Sequence, residues 1–174
     1  MKILIVPVSI DRKEKDLASE RFRCDWLLPY LPADKYNGPQ NPDDYDVIIY
    51  QKSYISKEVQ EMVAKYASKK FQIFDITDPE WLFRPLLFKR MVKLVDVIMV
   101  SAPGLARDIK QITNKPVYLI SDRHELSYYS VYKEHRKTRY LPLLVWFGYV
   151  DNFHRISHLI PYIQLDPCVV TDRL

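Results

Sequence analysis

Glycine is nearly missing, with three in 174 residues. That scarcity excludes whole classes of ligand site. There is no G-x-G-x-x-G after a strand and no G-x-x-x-x-G-K-[ST], so neither the dinucleotide turn nor the P-loop cradle is present. An NAD-dependent oxidoreductase is excluded on the same ground. Any phosphate site must use side chains and helix N-termini. Cysteine is scarcer still. Cys24 and Cys168 are far apart and match no metal spacing, which points to a reducing, cytoplasmic compartment without a disulfide framework. Metal ligation is not expected either. His154 and His158 share i,i+4 spacing, but the sequence between them is Arg-Ile-Ser, without the Glu of H-E-x-x-H or a third ligand.

Long apolar runs are also lacking. None approaches the ~18 residues that would suggest a membrane span. The N-terminal Ile3-Leu4-Ile5-Val6 is too short for a signal sequence, and charged Asp11 to Lys15 follow it. It reads as a buried first strand. The formal charge of +4 permits anionic ligands or the surface of the inner membrane face without requiring either. The basic run Lys133 to Arg139 belongs to no nucleic-acid motif, and no nucleic-acid partner is expected.

What is present is an alternation of short apolar runs and amphipathic stretches. Strands are expected at Lys2–Val8, Asp46–Gln51, Phe71–Ile76, Asp96–Ser101, Val117–Ile120, Leu143–Phe147 and Cys168–Thr171. Several are continuous Val/Ile/Leu/Phe runs, the pattern of strands covered on both faces. Helices are expected at Ala18–Leu31 with Ser19 as cap, Ser56–Ser68 with Ser56 as cap, Pro85–Leu94, Gly104–Ile112 and Phe153–Ile163. The predicted class is α/β: a Rossmann-like parallel sheet with helices on both faces, followed by a partial second Rossmann-like β-α-β unit. The expected division is 1–121 for the first domain, 122–141 for a linker and 142–174 for the second unit.

Ligands of such sheets sit beyond the carboxyl ends of the strands. There the sequence places Asp75 and Asp78, candidates for general-base or hydroxyl-accepting carboxylates. Asp78-Pro79 equally suits a turn. Trp81 is a candidate for stacking on a sugar or lipid chain, or for the core. Ser19, Arg21 and Arg23 open a helix and offer donors for phosphate, and alternate spacing turns only one arginine inward. Arg123 and His124 follow the fifth strand. The histidine suits acid/base chemistry or a backbone hydrogen bond at a domain joint. Gly148 ends a strand before a helix cap and suits close approach of an anion or a turn.

The order of "SERFR", "DVIIYQK", "FQIFDITDPEW", "DVIMVSAPGLARDI", "VYLISDRHEL" and "LLVWFGYVDN" resembles glycosyltransferases of the GT-B fold, group 1 type. The resemblance covers most of the chain as an order of elements. It implies an N-terminal acceptor domain, a linker and the start of a donor domain. The implied partners are a nucleotide-sugar donor and a sugar or lipid-linked acceptor, with no cofactor. It also implies a truncated or split enzyme, whose missing donor domain would be supplied by a second chain or replaced by self-association. Departures are plain: no glycine-rich loop follows the first strand, and Tyr149 stands after Gly148 where the family commonly has arginine. A non-catalytic α/β binding or interaction module is the alternative. A phosphoacceptor receiver domain fits poorly, because no acidic pair ends the first strand.

Overall fold

A computed structural model of the chain describes residues 1–12, 17–122, 144–148, 157, 161 and 167–171. Two compact units divide it, Met1–Leu126 and Ser127–Leu174. The first is built on six strands: β1 (Ile3–Val6), β2 (Ala33–Lys35), β3 (Val47–Gln51), β4 (Phe71–Ile76), β5 (Val97–Val100) and β6 (Val117–Leu119). They form one sheet in the order β2-β1-β3-β4-β5-β6, and every pairing is parallel. The protein is therefore an α/β protein with a Rossmann-like sheet.

The strand period of two sorts the apolar residues onto two faces. Leu4 and Val6, Ile48 and Tyr50, Phe74 and Ile76, Ile98 and Val100 point to one face. Helices α3 (Lys57–Tyr66), α4 (Pro85–Leu94) and α5 (Pro103–Ile112) cover it with Val59, Val63, Phe88, Met91 and Ile109. Ile3, Ile5 and Val47 point the other way, where Cys24 and Leu28 meet them. Both faces of the sheet are thus covered, which explains the continuous apolar runs.

Local chemistry sets the helix ends. Ser56 caps α3, its hydroxyl accepting from the Val59 N–H. Pro85 and Pro103 start α4 and α5, where a missing N–H costs nothing. The segment expected as one helix over 18–31 is instead three pieces. It begins as α2 (Ala18–Glu20), passes through a wide π turn at Arg21–Asp25, and ends as a 3-10 turn at Leu28–Tyr30. Pro29 cannot donate and so cannot continue an α-helix. The π turn closes through Trp26 N–H to the Arg21 carbonyl at 2.9 Å. Leu17, not Ser19, holds the cap position, and Ser19 lies inside α2. Sequence reading also missed α1 (Ser9–Arg12) and β2, whose Ala-Asp-Lys carries no apolar signal.

In the second unit, β7 (Leu144–Gly148) and β8 (Pro167–Thr171) pair in parallel as a separate two-stranded sheet. Ser157 between them is helical. The rest of the predicted helix 153–163, apart from Pro161, lies outside the described residues, as do His154 and His158. Among the described residues no helix is long and apolar enough to cross a membrane.

Cys24 is fully buried on the second sheet face and unpaired. Burial, reinforced by Asp25, pushes its thiol up to about 12. The folded chain therefore resists forming the thiolate, whereas the unfolded chain forms it near pH 9. Stability contributed by the protonated thiol is lost as pH rises from about 9 toward about 12. In a Cys168→Ser background, a disulfide reagent at pH 8 is expected to label no thiol until denaturant is added. Labelling of the native protein at the unfolded rate would contradict the burial.

Candidate functional site at the carboxyl edge of the sheet

The strand order reverses between β1 and β3, because β2 lies on one side of β1 and all later strands on the other. The carboxyl ends at such a reversal form a crevice. Residues after β1, β3 and β4 meet there, and they form three linked polar groups.

The first group centres on Arg23, placed inward by the π turn. Its Nε donates to Asp75 Oδ2 at 2.7 Å, and Nη2 donates to Asp75 Oδ1. Nη1 donates to the Ile120 carbonyl at 2.8 Å and to Asp122 Oδ1 at 2.9 Å. Both partners of the Arg23–Asp75 pair are buried, at 5% and 2% side-chain exposure. Burial alone would lower the guanidinium. The hydrogen bonds and charge of Asp75, then Asp122, outweigh it and raise the value above normal. Burial pushes the Asp75 carboxyl up, and Arg23 opposes that shift.

The second group follows β3. Lys52 has a left-handed backbone with φ of 52° and is buried. A non-glycine residue holds that conformation only where its surroundings fix it. Its N–H donates to the Asp75 carbonyl at 2.8 Å, and its Nζ donates to Asp78 Oδ2. Glu80 Oε1 lies 3.7 Å from the same Nζ, while Glu80 Oε2 accepts from the Tyr54 hydroxyl at 2.6 Å. On either side of Lys52 stand Gln51 and Ser53, both fully buried. Gln51 Oε1 accepts from the Val8 N–H at 3.1 Å. Gln51 Nε2 and Ser53 Oγ are buried without a hydrogen-bond partner among the described residues. Buried polar atoms left this way are costly and mark places where a water or ligand completes the set.

The third group holds the loop after β1. Buried Glu20 accepts from Ser9 N–H at 3.1 Å and from Ser9 Oγ at 3.0 Å. Lys35 bridges Glu20 at 2.6 Å and Asp25 at 2.7 Å. Burial lowers the Lys35 ammonium, but these two carboxylates raise it further. Beside this loop, the Asp11 carboxylate accepts from Tyr54, Ile55 (2.7 Å) and Ser56 (2.9 Å) N–H groups. The N-terminal approach to α3 is thus already filled by a protein anion. Asp11→Ala is expected to cost about 1–3 kcal/mol in urea unfolding, the scale of unsatisfied buried donors. A change under about 0.5 kcal/mol, the level of an ordinary surface substitution, would contradict that role.

Of the residues singled out from sequence, Arg23 and Asp75 meet directly, and Asp78 joins them through Lys52. The Asp78 carboxylate pairs with Lys52 instead of capping the turn that follows, whose cap position, Pro79, makes no side-chain bond. Trp81 is half-buried and packs its ring 5.7 Å from Phe88, so it belongs to the core cluster. Ser19 and Arg21 are half-buried near the π turn. Gly148 ends β7 opposite Thr171 in the other unit. Arg123 and His124 lie outside the described residues. Glu20, Lys52, Gln51, Ser53 and Glu80 were not singled out. Their only sequence signal is position: Glu20 precedes the π turn, Gln51 to Ser53 stand at a strand exit, and Glu80 lies in the loop after β4.

No group of His, Cys, Asp and Glu able to hold a metal ion occurs among the described residues. Comparison with family models, with curated proteins and with solved structures finds no match.

Proposed function

We propose that this chain is a glycosyltransferase of the GT-B type, or a part of one, and that the carboxyl edge of its six-stranded sheet takes the sugar or lipid-linked acceptor. The observation that carries this reading is convergence. Arg23 of "SERFR", Asp75 of "FQIFDITDPEW" and Asp122 of "VYLISDRHEL" share one guanidinium. Lys52 of "DVIIYQK" adds Asp78 to the same edge. Segments far apart in sequence, each part of the resemblance, are tied together at the end of the sheet where ligands bind. In this reading Asp78, half-exposed beside Lys52, faces the acceptor hydroxyl. Gln51 Nε2 and Ser53 Oγ supply hydrogen bonds to the saccharide. Arg23 positions Asp75 and the β6 exit and does not itself hold phosphate. Transfer requires a nucleotide-sugar donor bound on a donor-type domain.

A second reading, a non-catalytic saccharide-binding module, is favoured by one fact. Four hydrogen bonds already commit Arg23 to protein acceptors, so the cation best suited to phosphate is spent on structure.

A thermal-shift panel of saccharides and sugar 1-phosphates, with and without nucleotide sugars, tests both. Saturable stabilisation by a saccharide is expected, together with its loss in Ser53→Ala and Gln51→Leu. Ser53→Ala removes an oxygen that has no partner among the described residues, so the free variant should keep its melting temperature, whereas Gln51→Leu also removes the acceptor of the Val8 N–H and should lower it. Release of nucleoside diphosphate only when saccharide and nucleotide sugar are both present supports transfer. Binding without release supports the module. No stabilisation by any saccharide discards both readings.

A further inference from the structure

Helix α4 carries two stripes. Phe88, Met91 and Val92 are buried against the sheet. Leu86, Lys89, Arg90 and Lys93, at i, i+3, i+4 and i+7, lie on the opposite side and are exposed. The 3-10 turn Glu80–Leu82 leads into this stripe through Leu82, Phe83 and Arg84, also exposed. Leu82 is 69% exposed, Phe83 63% and Leu86 81%. Single exposed apolar side chains are ordinary, but three within five residues form a patch that needs an explanation.

The charge around this patch has one sign. From Trp81 to Val95 there are four cations and no Asp or Glu. None of the four is ion-paired among the described residues. The other long helices differ. On α3 the exposed Lys57 and Glu61 pair at 3.6 Å, and on α5 Arg107 lies 3.5 Å from Asp108. Those are mixed-sign solvated faces. The α4 face is apolar at its N-terminal end and purely cationic beyond.

We propose that the surface from Leu82 to Lys93 is a peripheral contact for an anionic phospholipid bilayer. Leu82, Phe83 and Leu86 enter the headgroup–acyl boundary, and Arg84, Lys89, Arg90 and Lys93 meet lipid phosphates. Charge complementarity selects this occupant. A nucleic acid would use the cations but gain nothing from three apolar side chains. A protein interface of standard size buries about 800 Å² on each partner and is depleted in lysine at its centre, unlike this small lysine-bearing patch. The turn begins two residues after Asp78, so the contact sets the carboxyl edge close to the bilayer. The inference rests on this surface alone and does not require the glycosyl-transfer reading.

Vesicle co-sedimentation tests it, using phosphatidylcholine alone and phosphatidylcholine mixed with phosphatidylglycerol. Binding is expected only to the anionic vesicles and should weaken as salt rises. Leu82→Ser, Phe83→Ser and Leu86→Ser combined should abolish it. Lys89→Gln, Arg90→Gln and Lys93→Gln combined should weaken partitioning by about fivefold per cation, the equivalent of about 1 kcal/mol each. Lys57→Gln with Lys69→Gln, cations elsewhere on the surface, should leave binding unchanged. All these positions are exposed, and circular dichroism confirms that each variant is folded. The proposal is overturned by no binding to anionic vesicles, by equal loss from the Lys57/Lys69 variant, or by a dimer in solution that the serine variant converts to monomer. Binding to duplex DNA that the serine variant retains, with none to vesicles, overturns it in favour of a nucleic-acid surface.

Discussion

Replacing Arg23 with alanine is expected to lower the unfolding free energy by about 3–5 kcal/mol, because it strands a buried carboxylate. Asp75 is 2% exposed and takes two hydrogen bonds from this one side chain. Without Arg23 the carboxyl must bind a proton or remain charged in a poorly solvated place. A typical domain has only about 5–15 kcal/mol to lose, so the variant approaches unfolding at ambient temperature. The same reasoning separates the charge pair from its parts. Asp122 is 38% exposed, and Asp122→Ala should cost only about 0–1 kcal/mol. Arg23→Met combined with Asp75→Leu should recover most of the loss, because neither partner is left unpaired. Urea unfolding of the four proteins checks the set. An Arg23→Ala loss no larger than that of Asp122→Ala would show that the buried pair does not hold β4 to the π turn.

Phe74→Ala is expected to cost about 3–5 kcal/mol, the range for deleting a buried aromatic. Phe74 is fully buried, with its ring 5.5 Å from Tyr54 and 5.8 Å from Phe88. The cavity would open where β4 meets the α4 side of the sheet. Phe71 begins the same strand but points to the other face and is 47% exposed. Phe71→Ala should therefore cost well under half as much. Comparable losses for both would contradict the β4 register, since a shift by one residue exchanges the faces.

The parallel strands were legible in the sequence because they are covered on both sides. Ile3 to Val6 and Val97 to Val100 have no polar position to confuse them with a half-exposed strand. Helix starts at Ser56 and Pro85 were legible for the same local reasons that make them starts, whereas α5 begins at Pro103, one residue before the expected Gly104. The edge strand Ala33–Lys35 was not, because it is three residues long and its one small apolar side chain carries no period. The segment after β1 misled for a different reason. Phe22, Trp26, Leu27, Tyr30 and Leu31 suit a helix, yet Pro29 and the π turn divide it, and that division brings both Arg23 and Cys24 inside.

The candidate site was half legible. Strand-end position identified Asp75, and alternate spacing said that one of the two arginines turns inward. Nothing local marks Lys52 as buried, since an isolated lysine after a strand ordinarily reads as solvated. Its partners Asp78 and Glu80 come from the next βα loop, so only the order of strands brings them together. The orphaned Gln51 and Ser53 atoms are likewise a property of packing and have no sequence signature.

The central claim is that ligand binds at the carboxyl edge between β1, β3 and β4. Backbone amide NMR of the labelled protein, titrated with a panel of saccharides and sugar 1-phosphates, measures this directly. The account predicts saturable shifts concentrated at Val8, Ser9, Gln51 to Ser53 and Asp75 to Asp78, and their loss in Ser53→Ala. Saturable shifts confined to residues away from that edge, or none with any saccharide, would contradict it.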